Sequence, residues 1–184
     1  MNPEPSKVTV VMIMVMSING VVARKKIENS FEWNSEEDKK QFLEKISTLG
    51  TVLMGANTYK SIGSQPYEGI DFYVLTHHPE QFSHHERVTF VKGDVEDIYK
   101  LWEARGLTKV ALLGGPSTNR LFLDKELVDE VFLTIEPAIM PEGLHLVAGL
   151  DWKVDLKLLS LNTLNEQNTL LLHYSVIKNK NQQK

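Results

Sequence analysis

The sequence contains no cysteine, which excludes disulfide bonds, thiolate metal sites and cysteine nucleophiles. A chain without cysteine suits a reducing compartment, so we expect a cytoplasmic protein. Positive charge is not in excess either, because the formal net charge is −4. Surfaces that bind nucleic acid or anionic membranes need clustered cations. We therefore expect no nucleic-acid partner and no membrane partner.

A long hydrophobic run is also missing. The apolar stretch at residues 8–16 is too short to span a bilayer, which takes about 20 apolar residues. Pro3, Glu4 and Pro5 precede it, where a signal peptide would carry basic residues. The stretch is rich in β-branched residues, and a strand covered on both faces is the better interpretation.

Several catalytic motifs are absent from the sequence. It has no GxSxG elbow, no Walker loop and no GxGxxG fingerprint. The usual signatures of a serine nucleophile, of a P-loop and of a Rossmann dinucleotide site are therefore missing. The pairs His77–His78 and His84–His85 fall in one loop region. Without an acid–histidine motif on a helix they are weak evidence for a metal site, and we expect none.

The 184 residues suit one domain with an ordered core at about 8–178. Periodicity and turn residues predict a long mobile loop at 21–32 and a helix between the cap Asp94 and Gly106. The other helices are predicted at 35–48, 57–62 and 117–123. Strands are predicted at 8–16, 51–54, 71–76, 87–91, 109–113, 131–135, 153–161 and 169–177. This order predicts an α/β sheet that is parallel in its first two-thirds and antiparallel at its end.

Asp38 occupies an unusual place in the first predicted helix. It lies in line with Phe42, Ile46 and Leu49, so it heads the apolar face of that helix. Ser35 lies three residues earlier and predicts a helix cap of which the acid could be a part. A partly buried carboxylate tends to have a raised pKa, which suits a proton donor. From this pattern alone a cap and a catalytic acid both stay open.

Two predicted strands run into helices through glycine. One turn is Gly55-Ala56-Asn57-Thr58 and the other is Gly114-Gly115-Pro116-Ser117. Backbone N–H groups at a helix start attract phosphate, and ligands of open α/β sheets bind beyond the carboxyl ends of the strands. Two such turns indicate a dinucleotide site, although glycine could equally serve only to make tight turns.

In their order and spacing these motifs resemble the dihydrofolate reductase superfamily, from about residue 8 to 177. The carrying motifs are Ser17-Ile18-Asn19-Gly20-Val21-Val22-Ala23 after the first strand, Trp33-Asn34-x-x-x-Asp38-x-x-x-Phe42, Met54-Gly55-x-x-Thr58-Tyr59-x-Ser61-Ile62, and Gly114-Gly115. The resemblance implies a three-layer fold, with helices on both faces of the sheet. It also implies a small-molecule substrate and a nicotinamide cofactor, NADPH, with NADH as the alternative.

The resemblance assigns site residues by position. Asp38 and Thr134 would be catalytic, and Trp33, Asp38 and Phe42 would bind the substrate. The implied cofactor-binding residues are Val22, Ala23, Gly55, Ala56, Asn57, Thr58, Leu75, Thr76, His77, Gly114, Gly115, Ser117 and Thr118. The loop from Ile18 to Glu32 would close over the nicotinamide.

Two positions depart from the folate reductases. Ile70 stands where that family has an arginine for the glutamate tail of folate, and Ala56 stands where it usually has an arginine for the 2′-phosphate of NADPH. The stretches at 127–131 and 136–143 instead resemble the riboflavin-pathway pyrimidine reductase domain. That branch reduces an aminopyrimidine ribosyl phosphate and often forms homodimers through its C-terminal region.

We therefore expect an NAD(P)H-dependent pyrimidine reductase of the riboflavin type. A divergent dihydrofolate reductase is the first alternative, and a non-catalytic nucleotide-binding relative is the second. A substrate phosphate would need cations, for which Arg24, Lys25, Lys26 and Arg120 are candidates.

Overall fold

A computed structural model of the chain describes residues 7–24 and 29–178. Its central feature is an eight-stranded sheet with the strand order β5-β4-β3-β6-β1-β7-β10-β9. The first six strands in that order pair in parallel, whereas β10 is antiparallel to β7 and β9 is antiparallel to β10. The predicted α/β class, with a parallel body and an antiparallel end, is confirmed.

The elements follow the predicted order with small shifts at their ends. The helices are α1 (Glu36–Leu49), α2 (Ala56–Ser61), α3 (Val95–Ala104) and α4 (Pro116–Asp124). The strands are β1 (Thr9–Ser17), β2 (Val21–Ala23), β3 (Thr51–Gly55), β4 (Asp71–Leu75), β5 (Val88–Val91), β6 (Lys109–Leu112), β7 (Glu130–Glu136), β8 (Leu144–His145), β9 (Asp155–Thr163) and β10 (Leu170–Ile177). Short 3-10 helices lie at Ser30–Glu32 and Pro79–Gln81.

The sheet is covered on both faces, as the three-layer fold requires. On one face Ile46 of α1 and Tyr59 of α2 join the core side chains of the sheet. On the other face Trp102 of α3 and Phe122 of α4 do the same. Since β1 lies between β6 and β7 under both layers, its run of apolar residues is explained by burial from both sides.

The segment predicted as one loop at 21–32 is more ordered than expected. Val21–Ala23 forms β2 and pairs with β8, and Ser30–Glu32 forms a 3-10 helix whose Asn29 side chain accepts a hydrogen bond from the backbone N–H of Phe31. Residues 25–28 lie outside the described part of the chain. The partner strand β8 is far away in the sequence, so a local pattern could not reveal this pairing.

Two further predictions need correction. Asp94 stands at the N-cap of α3, but its side chain makes no capping hydrogen bond. The strand predicted at 153–161 lies instead at Asp155–Thr163, because the turn at 165–168 sets its register against β10. Within the described residues, no helix is both long enough and apolar enough to cross a membrane.

Candidate active site

The first turn of α1 holds Asp38 inside the protein. Ser35 caps the helix, and its hydroxyl oxygen accepts a hydrogen bond from the Asp38 backbone N–H at 3.3 Å. Asn34 Nδ2 donates to Asp38 Oδ2 at 2.6 Å. Only 5% of Asp38 is exposed. The cap and the inward-facing acid therefore coexist, because Ser35 starts the helix and Asp38 lies on its buried face.

The surroundings of Asp38 favour its protonated form. Burial raises the pKa of its carboxyl above the usual aspartate range, and the nearby charge of Glu136 acts in the same direction. Hydrogen bonds from Thr134 and Asn34 oppose this rise because they stabilise the carboxylate. The net shift is upward, which is the direction expected for a carboxyl that donates a proton.

The two glycine turns lie side by side and are bonded to each other. The Gly55 N–H donates to the Gly114 carbonyl at 2.7 Å, at the start of α2. A Cβ at Gly55 would stand only 2.6 Å from Thr118 Oγ1. A Cβ at Gly114, whose φ is +82°, would stand 3.1 Å from Met14 Sδ. Only glycine fits this junction without displacing a neighbour.

One cavity of about 630 Å³ joins the acid to the glycine turns. This volume lies within the usual range for small-molecule sites. Asp38, Phe42 and Thr134 line one end of it. The starts of α2 and α4 line the other end through Thr58 and Ser117. The cavity therefore has room for two ligands or for one extended ligand.

Most of the residues assigned by resemblance lie on this wall. The cofactor-binding candidates that line the cavity are Val22, Ala23, Gly55, Ala56, Asn57, Thr58, Leu75, Thr76, His77, Gly115, Ser117 and Thr118. Gly114 lies behind the wall, where its carbonyl holds Gly55. Trp33 does not line the cavity, although its buried Nε1 and the buried Oδ1 of Asn34 have no hydrogen-bond partner within the described residues.

An aromatic wall was not predicted from the sequence. Phe31 packs edge-on against Phe42 with ring centroids 5.5 Å apart, and Phe42 packs against Tyr67 at 6.4 Å. All three rings line the cavity beside Asp38. Phe31 was missed because its segment had no helical or strand period. Tyr67 was missed because it lies in the irregular segment between α2 and β4.

The positive charges at the cavity also differ from those expected. Lys45 and Lys60 line it, and Lys45 lies on α1 one turn beyond Phe42. Burial lowers the pKa of the Lys45 ammonium, which lies 3.9 Å from the centre of the Phe132 ring. Arg120 instead pairs with Asp124 at 3.1 Å and is not part of the cavity wall. Lys25 and Lys26 lie outside the described residues.

The two departures from folate reductases have structural counterparts. Ile70 is 2% exposed and belongs to the core cluster that contains Ile46 and Phe72, so this position offers no charge to a ligand. Ala56 lines the cavity with His77, His78 and Lys60 nearby on the same wall. Lys60 thus lines the same cavity with a positive charge, although the position of the usual arginine is occupied by alanine.

The glycine end fits a dinucleotide cofactor on steric grounds. A Cβ at Gly55 would fill the space beside Thr118, and a Cβ at Gly115 would approach Thr58 Oγ1 at 3.4 Å. The hydroxyls of Thr58, Ser117 and Thr118 line the same region. Small residues, hydroxyl groups and helix starts together form a donor set that suits phosphate.

The comparisons with known proteins identify the family. The sequence profile described as dihydrofolate reductase matches residues 9–140. The chain belongs to the dihydrofolate reductase family. This membership supports an oxidoreductase. The uncharacterised protein YwjB of Bacillus subtilis (strain 168) is 24% identical to it over 172 residues, which cover 89% of this chain and 95% of YwjB.

Solved structures share the fold at low sequence identity. A pyrimidine reductase-like protein from Corynebacterium diphtheriae has a TM-score of 0.77 at 18% identity, covering 93% of this chain and 92% of that one. A putative riboflavin biosynthesis protein from Shewanella sp. PV-4 has a TM-score of 0.75 at 20% identity, covering 92% and 99%. Dihydrofolate reductase from Enterococcus faecalis, complexed with NADP(H) and RAB-propyl, has a TM-score of 0.74 at 19% identity, covering 94% and 99%.

The histidine pairs do not form a metal centre in the part of the chain that the structure describes. There, no group of three or more His, Asp or Glu side chains could hold a metal ion. His78 Nδ1 lies 3.1 Å from Glu80 Oε1, and both side chains are exposed. His77 and His78 instead belong to the wall of the cavity.

Proposed function

We propose that this protein is an NAD(P)H-dependent reductase of a small heterocyclic substrate, an aminopyrimidine ribosyl phosphate of the riboflavin pathway. The observation that carries the proposal is the single cavity joining the buried Asp38 to the glycine turns. A reductase needs a proton source and a hydride source within reach of one substrate. The acid end supplies the first requirement, and the turn end suits the carrier of the second.

Asp38 has the central role in the proposed reaction. When bound, a nicotinamide cofactor supplies the hydride. Asp38 hydrogen-bonds the heterocycle and assists its protonation as the hydride arrives. Burial raises the pKa of its carboxyl, which favours the protonated form that this step needs. Asn34 and Thr134 hold the carboxyl in place through their hydrogen bonds.

The side chains around Asp38 position the substrate. Thr134 orients the heterocycle next to the acid, and Phe42 packs on its ring. Phe31 and Tyr67 extend this packing surface. Trp33, which the resemblance assigns to substrate binding, precedes Asn34 in the chain and does not line the cavity. Val22, Ala23 and Phe31 come from the segment expected to cover the nicotinamide, and they line the cavity, where they would shield the site from water.

The substrate assignment is supported by charge. The core residue Ile70 offers no cation for a folate tail, whereas Lys45 lines the cavity and suits a substrate phosphate. The likeness of the fold to a pyrimidine reductase-like protein and to a putative riboflavin biosynthesis protein also supports a pyrimidine substrate. A divergent dihydrofolate reductase is the second candidate, since the family profile carries that description.

NADPH is the proposed cofactor, with NADH as the alternative. The relative from E. faecalis is complexed with NADP(H). The proposal takes His77 and Lys60 as the groups that meet the 2′-phosphate in place of the missing arginine, because both line the cavity beside Ala56. Gly55, Gly115 and Thr58 would hold the pyrophosphate at the helix starts.

A four-way assay tests the proposal. The aminopyrimidine ribosyl phosphate and dihydrofolate are each supplied with NADPH and with NADH, and nicotinamide absorbance is followed. Oxidation of NADPH with the pyrimidine is expected. Oxidation with dihydrofolate alone would establish the second candidate. Stabilisation by cofactor without oxidation of either substrate would indicate a non-catalytic nucleotide-binding protein.

We also propose a cytoplasmic homodimer that pairs through β9. This strand is at the edge of the sheet, and it exposes Leu156, Leu158, Leu159 and Leu161. An exposed apolar edge strand is a template for pairing with a second chain. Light scattering is expected to show a dimer that Leu161→Lys dissociates. Ile139→Lys, an exposed apolar residue outside β9, should leave it intact, and equal effects of the two would contradict the proposal.

A further inference from the structure

Glu136 is a second buried carboxylate beside the acid end of the cavity. It ends β7, and only 6% of it is exposed. Its Oε1 accepts hydrogen bonds from the Ser35 backbone N–H at 2.8 Å and from the Ser35 hydroxyl at 2.6 Å. Its Oε2 accepts one from the Thr169 hydroxyl at 2.7 Å. Nothing in the proposed reaction uses this group.

The donors around Glu136 are all uncharged. They fill both carboxylate oxygens, so the network is complete with a negative charge on Glu136 and needs no proton there. Burying a charge without an opposite charge is costly. A buried negative charge that only neutral donors stabilise shifts the pKa of a titratable group close to it.

Asp38 is a titratable group that hydrogen bonds link to Glu136. Ser35 connects the two acids directly, because its hydroxyl donates to Glu136 and accepts from the Asp38 N–H. Thr134 hydrogen-bonds Asp38 and lies two residues before Glu136 on β7. Alternate residues of a strand face the same side, so Thr134 and Glu136 both face α1. Burial is the largest cause of the raised pKa of Asp38, and the charge of Glu136 acts in the same direction.

The other charged side chains near this turn have different arrangements. Lys39 pairs with Glu36 at 2.6 Å on the exposed side of α1. Glu37 faces outward and accepts a hydrogen bond from Asn165 at 3.2 Å. Lys45 lies two turns farther along α1, over Phe132. The residues paired with Thr134 on the neighbouring strands are Val15 and Leu171, which carry no charge.

We propose that Glu136 is a positioning residue whose buried negative charge adds to the effect of burial and favours the protonated form of Asp38. Ser35 and Thr169 hold that charge in place from α1 and from the start of β10. Only the use of the proton on a substrate rests on the proposed function. The electrostatic link between the two carboxyls stands on this geometry alone and is measurable without substrate or cofactor.

The test is the titration of the Asp38 carboxyl, followed by carbon-13 NMR on protein labelled at aspartate and glutamate carboxyls. In Glu136→Gln the Asp38 midpoint is expected to move to lower pH, because a like charge has been removed. Glu37→Gln is the matched control. It removes one negative charge from an exposed position beside Asp38, in the first turn of α1, and should leave the Asp38 midpoint unchanged.

A purely structural role for Glu136 gives a different result. In that case Glu136→Gln lowers the melting temperature but leaves the Asp38 midpoint unchanged, which overturns the proposal. A second variant covers a Glu136→Gln protein that does not fold. Glu136→Asp keeps a negative charge at this position, so its Asp38 midpoint should stay above the usual aspartate range. An Asp38 midpoint within the usual range in Glu136→Asp would contradict the proposal.

The result of the Asp38 titration can be distinguished from the result of the reductase assay. A shifted Asp38 midpoint in a protein that oxidises no cofactor would support the link between the carboxyls and refute only the proposed function. If both hold, Glu136→Gln should lower kcat more at alkaline than at acidic pH. Its KM for the cofactor should be unchanged, since the glycine end is not touched.

Discussion

The two ends of the cavity differ in the groups that line them. At the acid end, side chains of α1 and β7 carry the chemical groups, with Asp38, Asn34 and Thr134 in direct contact. At the glycine end, backbone groups and the space around them decide the shape, as in the 2.7 Å bond from Gly55 to Gly114. The first end should therefore respond to a change of one functional group, and the second to a change of volume.

This difference separates chemistry from binding. An isosteric substitution at the acid end keeps the fold and removes a proton. An added methyl group at the glycine end keeps every functional group and removes room. A substitution at the acid end should thus lower turnover and leave cofactor affinity unchanged. A substitution at the glycine end should lower cofactor affinity.

The largest effect is expected for Asp38→Asn. The variant retains shape but has no acidic proton, so turnover should fall by about 10²–10⁴-fold, the usual contribution of general acid catalysis. Cofactor affinity should change little, because the glycine end is untouched. Steady-state rates and cofactor titration measure both quantities. Asp97→Asn, at an exposed site on α3, is the control. Undiminished turnover in Asp38→Asn would show that Asp38 is not the proton donor.

Lys45→Gln should weaken the binding of a phosphate-bearing substrate. A hydrogen bond to a charged group is typically worth about 1.5–3 kcal/mol, so KM should rise by about 10–100-fold while the fold is kept. Lys40→Gln, on the exposed side of the same helix, should leave KM unchanged. Equal KM values for both variants would show that Lys45 does not meet the substrate.

Gly55→Ala should act through volume. The new Cβ would stand 2.6 Å from Thr118 Oγ1, and overpacking of this kind typically costs about 1–3 kcal/mol of stability. Cofactor affinity should fall with it. Thr118→Ala removes the clashing oxygen, so the double variant should be more stable than the sum of the single changes predicts. Additive losses of stability would contradict the close contact.

The smallest effect concerns pH and stability. Since burial raises the pKa of Asp38 above its unfolded value, ionisation of Asp38 destabilises the folded protein as pH rises above the usual aspartate range. Asp38→Asn should therefore be more stable than the unaltered protein at neutral pH. The difference should vanish at acid pH, below the usual aspartate range. Urea unfolding across this range measures it, and a constant difference would contradict a raised pKa.

The acid and the turns could be predicted from the sequence because their signals are local. The spacing of Asp38, Phe42 and Ile46 already places the acid on the buried face of a helix, and Ser35 marks the helix start. Gly55 and Gly114 follow apolar strands directly. These features depend on neighbours within one or two turns, and the structure has them where they were expected.

The features that sequence could not reveal depend on distant neighbours. Glu136 is buried because Ser35 and Thr169 reach it from two other elements, whereas a glutamate at a strand end usually faces solvent. β2 exists because β8 pairs with it across more than a hundred residues. Lys45 was not among the cations predicted for a substrate phosphate, and only the fold shows that it lines the cavity.

The central claim is that Asp38 supplies the proton at one end of the cavity while the hydride is carried at the other. It is tested most directly by the pH dependence of a single turnover with saturating NADPH and the aminopyrimidine substrate. The rate should fall as pH rises through the Asp38 pKa, and Asp38→Asn should be slow and independent of pH over that range. A flat profile in the unaltered protein, or the same falling profile in Asp38→Asn, would contradict the claim.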